Sequence, residues 1–274
     1  MDVTGIQQER PHILRLPAEI RSNILEYVFT NSFRSHGLQS SVVGETYLDE
    51  QYLASEGLNP LLVCRQWYQD GSLIAFNKAH FLVSNLFCNV PQQISTLHPK
   101  QIEAIRSVAF VADKRHFRKL LDWNNRPFGL QNLDLDTLTI VLHRSSAWHY
   151  MFDFTSDIVK LLRVLKGVKQ LVFVKNAAMV KGSFRTWYNR LIGLIMKTDH
   201  QERYDKKPCN PELTWWTWKY DDLAHSFCLE ACGPKEILEE EAYMQAMLPL
   251  MEELRDSMER EEWNPDPRAR MMYY

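Results

Sequence analysis

Glycine is scarce in this chain, ten residues in 274, and each stands isolated rather than in a loop that could cradle a nucleotide phosphate. The G-x-S-x-G elbow, the H-E-x-x-H zinc helix and any paired C-x-x-C are also missing. No apolar run approaches the ~18 residues that a membrane-spanning helix needs. Charge of one sign is not in excess: 32 basic against 34 acidic residues leave a formal −2, which does not suggest binding to nucleic acid or an anionic membrane. Five cysteines, an odd number, are scattered without a disulfide-like spacing, and the first residues do not read as a secretory leader. The expectation is reduced thiols in the cytoplasm or nucleus. No enzyme and no cofactor is expected.

What is there is apolar mass. The chain is 45% hydrophobic and 12% aromatic, enough for a core and too apolar for a disordered protein. Its length suits one large domain, or a small domain joined to a larger one.

The ordered region opens on "LRLPAEIRSNILEYVF", Leu14 to Phe29. Pro17 lacks an N–H and fixes φ, which suits the first turn of a helix. Ile20, Ile24, Leu25, Val28 and Phe29 then form a stripe at helical spacing, with Glu19 in the first turn where the helix dipole favours an anion. A helix this short must pack on something, either its own domain or a partner. A second apolar segment, "NPLLVCRQWYQDGSLIAF", runs from Asn59 to Phe76, and Gly71 in its middle suggests two short helices. "AHFLVSN" (79–85) reads as a strand.

Together these segments resemble the F-box, and most of all the F-box-like N-terminal module of many fungal proteins. The pattern is Leu-Pro-x-Glu-(Ile/Leu), a hydrophobic helix, Val-Cys-Arg-x-(Trp/Tyr), and an aromatic strand. The matching positions are Leu16, Pro17, Glu19, Ile20, Ile24 and Leu25, then Leu62, Val63, Cys64, Arg65 and Trp67. The resemblance covers residues 11–88. It implies docking to the F-box-binding adaptor subunit of an SCF-type ubiquitin ligase, with Leu16, Pro17, Ile20, Ile24, Leu25, Val63 and Trp67 as adaptor-binding candidates. Unlike the usual F-box, the two halves here are separated by residues 30–59, a Ser-, Gly- and acid-rich insert expected to be a mobile surface loop.

Three later segments echo one another: "IEAIRSVAFVAD" (102–113), "LDLDTLTIVLHR" (133–144) and "LKGVKQLVFVKN" (165–176). Aligning Val108, Leu138 and Leu171 gives separations of 30 and 33 residues, with helix-like stretches between. A strand and a helix every ~30 residues predicts either a β/α solenoid, weakly like degenerate leucine-rich repeats, or an ordinary parallel sheet with crossover helices. "SFRTWYNRLIGLIMKTDHQERYD" is a further amphipathic helix with a locally basic face that includes Arg185, Arg190, Lys197 and Arg203. In "PELTWWTWKYDD" the alternation of Trp216, Trp218 and Tyr220 predicts a strand. The cluster of Trp215, Trp216 and Trp218 suits either core packing or a target-binding surface.

Two groupings raise chemistry and lose it again. His225, Cys228 and Cys232, with Cys209 upstream, are zinc-type ligands, but "HSFCLEACG" reads as a helix carrying small buried thiols, so no metal site is expected. His143 and His149 flank Trp148 with Asp153 nearby, and nothing supplies a nucleophile. The chain closes on an acidic amphipathic helix from Lys235, striped by Met244, Met247, Leu248, Met251, Leu254 and Met258, which Pro249 should kink or divide near Ala246.

The expected fold is therefore mixed α/β: an F-box-like helical module (11–88, with the 30–59 loop), a repeat-like β/α target-binding domain (89–262) ending in an amphipathic helix, and a frayed tail (263–274). The expected function is a non-catalytic ligase adaptor for an unknown target protein. The alternatives are an F-box-derived scaffold with no ligase role and, more distantly, an uncharacterised hydrolase or a nucleic-acid binder.

Overall fold

The computed structural model describes residues 12–32, 36–145 and 149–263; the tail from residue 264 and Trp148 lie outside them. The first elements are α1 (Ala18–Ser32), a short antiparallel hairpin of β1 (Leu38–Ser40) and β2 (Thr46–Leu48), α2 (Ala54–Leu58), a 3-10 turn (Asn59–Leu62) and α3 (Arg65–Lys78). There follow β3 (His80–Val83), α4 (Val90–Ile94), α5 (Pro99–Ala104), β4 (Ser107–Ala112), α6 (Lys114–Arg118) and β5 (Leu135–Leu142). The chain continues through α7 (Thr155–Val164), β6 (Val168–Val174), α8 (Phe184–His200), β7 (Trp215–Asp221), β8 (Ser226–Cys232) and α9 (Glu240–Trp263).

One six-stranded sheet, in the order β3-β4-β5-β6-β8-β7, organises the molecule. The segments that echo one another in sequence are neighbours in space, since Val108 pairs with Leu138 and Leu138 with Leu171 in parallel register. The period begins earlier than the sequence suggests: Phe81 on β3 pairs with Val108, also in parallel. The edge beyond β6 departs from the parallel sheet that the sequence predicts, because β8 runs antiparallel to both β6 and β7. The chain reaches β7 through α8 and returns by a tight reversal at 221–226, which can only give an antiparallel pair.

Alternation along the strands sorts the two faces. Val108, Phe110, Leu138, Ile140, Leu171, Phe173, Phe227 and Leu229 enter the main core, which α7 and α8 cover with Ile158, Leu162, Trp187 and Leu191. On the opposite face Val111, Val141 and Val174 form a second small core with Leu38 and Leu48 of the hairpin.

That packing corrects the expectation of a mobile 30–59 loop. The described residues of the insert form a hairpin laid over the sheet and a helix, α2, whose Leu58 joins the cluster of the N-terminal helices. Leu48 N donates to Asn176 Oδ1 (2.9 Å), Thr46 N donates to the Ala224 carbonyl (3.0 Å), and the Tyr52 hydroxyl donates to the His80 carbonyl (2.8 Å). Leu38 and Leu48 are few among polar neighbours, yet they cover valines that water would otherwise meet.

Other elements depart from their sequence expectation. Residues 226–232 form a strand and not a helix, because Phe227, Leu229 and Ala231 alternate with Cys228, Glu230 and Cys232 while paired on both sides. α3 passes through Gly71 without a break. The interruption falls at Cys64, whose Sγ accepts from Trp67 N as the helix cap (3.4 Å). Gly71 serves packing: a Cβ there would stand 3.0 Å from Leu25 Cδ2. α9 likewise runs through Pro249 as one helix. Finally, the cores do not divide at residue 88, since β3 is a strand of the main sheet and Phe76 of α3 lies in the main core, while the N-terminal helices keep a smaller cluster of their own.

Candidate functional site

The N-terminal helices pair around their own cluster of Leu25, Phe29, Leu61, Trp67 and Ala75. α1 begins just after Pro17, whose carbonyl accepts from Arg21 N (3.1 Å). The Arg21 guanidinium then reaches Asp70 on α3 (Nε to Oδ2, 2.7 Å), and that contact holds the Asp70 carboxyl below the usual carboxylate range. α1 is thus locked to α3 by one ion pair and by the close approach of Leu25 at Gly71.

This geometry divides the adaptor-binding candidates. Leu25 is fully buried and Trp67 nearly so, which makes both interior residues of the module rather than contacts for a partner. Leu16 and Ile24 are half-buried. Pro17, Ile20 (45% exposed) and Val63 (74%) point outward, and Leu62 and Tyr68 are exposed beside them in sequence. Helical spacing alone did not separate these classes, because a wide apolar stripe on a two-helix unit has a buried centre and exposed margins.

The tryptophan cluster is placed differently from a target-binding surface. Trp216 is 1% exposed, and its Nε1 donates to the Leu162 carbonyl (2.9 Å). Trp215 is also buried, with the Lys235 ammonium 3.3 Å from its ring centroid. Trp218 is partly open and packs on the main core. Trp216 and Trp218 lie on the inward face of the edge strand and Trp215 is covered by Lys235, so of the three only Trp218 keeps a partly open surface.

Sequence reasoning missed a buried ionic cluster. Asp199 at the end of α8 accepts from the Tyr243 hydroxyl (2.6 Å), from Arg203 Nε (3.1 Å) and from Arg163 (3.3 Å), and lies 2.8 Å from Lys235 Nζ. Arg203 continues to both oxygens of Glu212 (2.8 and 2.7 Å). Burial opposes ionisation of Asp199, but its hydrogen bonds, those to Lys235 and Tyr243 among them, outweigh it and hold the carboxyl well below its ordinary range. Burial pushes the Lys235 ammonium down despite the Asp199 carboxylate, and raises the Tyr243 phenol well above its ordinary value. Arg203, which the sequence assigns to a basic outer face, is interior. The signal for this was the mixture of charges flanking an apolar helix, which sequence alone does not pair.

His149 is buried with Nε2 2.7 Å from the His143 carbonyl, an arrangement that builds a loop and presents no base to solvent. Cys228 and Cys232 share the outer side of β8, where burial raises the Cys228 thiol. Among the described residues no three metal-ligating side chains gather, and no helix is long and apolar enough to cross a membrane.

No family model, curated protein or solved structure matches this chain.

Proposed function

We propose that the chain is a non-catalytic F-box-like adaptor of the cytoplasm or nucleus. Its first helical module docks to the F-box-binding subunit of an SCF-type ubiquitin ligase, and its β/α domain presents a surface to a target protein. The observation that supports this is the outward placement of Pro17, Ile20 and Val63 on a module already closed by Leu25, Phe29 and Trp67. Apolar side chains left at the margin of a completed core are available to a partner.

The scaffold reading has its own support. β3 and Phe76 merge the module into the main sheet and core, and the hairpin covers the sheet face opposite that core, as an interaction domain without a ligase role would allow.

Capture by the purified adaptor subunit separates the two. Leu25→Ala should cost ~2–5 kcal/mol in urea unfolding, because it empties a closed core. Ile20→Ala should leave folding nearly unchanged while weakening capture, since truncating a binding anchor costs ~2 kcal/mol or more. Failure of the wild-type chain to capture the adaptor would favour the scaffold.

A further inference from the structure

α9 carries two apolar rows, and the structure gives a partner to the first of them. That row is Tyr243, Met247, Leu250, Leu254, Ser257 and Glu261, whose steps alternate between four and three residues, the spacing of a helix–helix seam. It faces α8 and is held there by Tyr243 to Asp199 (2.6 Å), Ser257 Oγ to Asn189 Oδ1 (2.8 Å) and Ser183 Oγ to Glu261 Oε1 (3.0 Å). The second row, Met244, Leu248, Met251, Arg255 and Met258, has the same alternating steps one position on. Its four apolar members are exposed, Leu248 to 51%.

Beside this second row lies an open groove of about 700 Å³ between α8 and α9, lined by Gly193, Met196, Met244, Met247, Met251 and Met258 among others. Methionine side chains are unbranched and polarisable, and they adapt to the shape of whatever lies on them. From Met244 to Met258 the row extends for roughly 21 Å at 1.5 Å per residue, the length of a helix face and not of a small ligand.

Charge selects the occupant. Of the eight carboxylates and two arginines on α9, Glu261 turns to α8 and Arg255 stands within the exposed row. Helical spacing sets Glu241, Glu252, Asp256 and Glu259 along the row's outer flank, which is therefore negative. A second copy of the chain laid α9 against α9 would face those carboxylates with their own kind. The α8 wall offers little to offset them: it contributes Lys197 and His200, and His200 is already 3.0 Å from Glu240.

We propose that this face binds an amphipathic helix of another protein, one with an apolar heptad seam flanked by lysine or arginine. The partner helix completes a three-helix layer in which α9 is the middle member, its seam seated on Met244, Leu248, Met251 and Met258 and its cations beside the α9 carboxylates. This site lies on the β/α domain and does not depend on adaptor docking by α1.

The probes are three labelled three-heptad synthetic peptides, titrated against the full chain by fluorescence anisotropy at low and physiological salt. One has a leucine seam with lysine flanks, one has the same seam with glutamate flanks, and one is the lysine peptide scrambled. The lysine peptide should bind saturably, and roughly tenfold or more tighter than either control, with the margin narrowing as salt screens the charges. Met251→Glu and Leu248→Glu, both at exposed positions, should weaken it by about tenfold or more while the melting temperature stays put. Ile20→Ala should bind the peptide as wild type does. Equal binding of all three peptides, binding insensitive to both variants, or no binding would overturn the proposal. So would a wild-type dimer in sedimentation that Met251→Glu dissociates, since a second copy would then own the face.

Discussion

Replacing Asp199 by asparagine tests whether the ionic cluster is what seats α9. The substitution keeps size and shape but removes the charge that faces Arg203, Arg163 and Lys235. Arg203 and Asp199 are each 1% exposed, so water cannot take over the lost interaction. With Asp199 and Glu212 both ionised, three cations meet two carboxylates; after the change, three meet one. Breaking a buried pair in this way typically costs ~3–5 kcal/mol, mostly because a charge is stranded. Arg203 keeps its bidentate hold on Glu212, which places the expected loss near the lower end, about 3 kcal/mol. Urea unfolding followed by tryptophan fluorescence reads this as a lower midpoint at constant slope. The sign with pH is also determined. Asp199 ionises in the folded chain well below its unfolded value near 4, so its stabilisation is full above that value and fades as pH falls further. The wild-type and Asp199→Asn curves should therefore converge toward acid. A loss under 1 kcal/mol at pH 7, or a gap that stays constant with pH, would refute the reasoning and mean that apolar packing of Tyr243 and Met247 alone holds the helix.

Replacing residues 38–48 by a Gly/Ser linker should uncover Val111, Val141 and Val174; increased binding of a hydrophobic dye and a lower melting temperature are expected, and an unchanged melt would mean that the hairpin covers nothing of consequence. His80, pushed down to about 4 by burial and then by the neighbouring His36, is held neutral in the folded chain, whereas in the unfolded chain it protonates near 6.5. Between those values the unfolded state binds more protons, so stability is full above 6.5 and falls as pH drops toward 4. The melting midpoint of wild type should drop more over that range than that of His80→Gln, and parallel curves would sink the argument.

The sequence alone determined the features whose physics is local. The apolar runs around Val108, Leu138 and Leu171 read as strands, and separations of 30 and 33 residues match their pairing as parallel neighbours. Pro17 announced the start of α1, and the apolar stripe from Ile20 to Phe29 announced a helix, of which only Leu25 and Phe29 turn fully inward. Mixed α/β architecture followed from those periods. What depended on distant contacts was not legible. The insert after α1 looks polar in sequence because a hairpin with one covered side needs only Leu38 and Leu48, and their value comes from three valines more than 60 residues away. Residues 226–232 carry apolar positions that suit helix or strand, and hydrogen bonds from β6 and β7 decided for strand. Trp216 went inside against α7, where its Nε1 donates to the Leu162 carbonyl, and Trp215 was covered by Lys235 from far along the chain. The tertiary structure also decided that one row of α9 should be buried and its twin left open: both have helix-seam spacing, and only the first meets Asp199, Asn189 and Ser183 on α8 and its cap, the polar partners that fix which side turns inward.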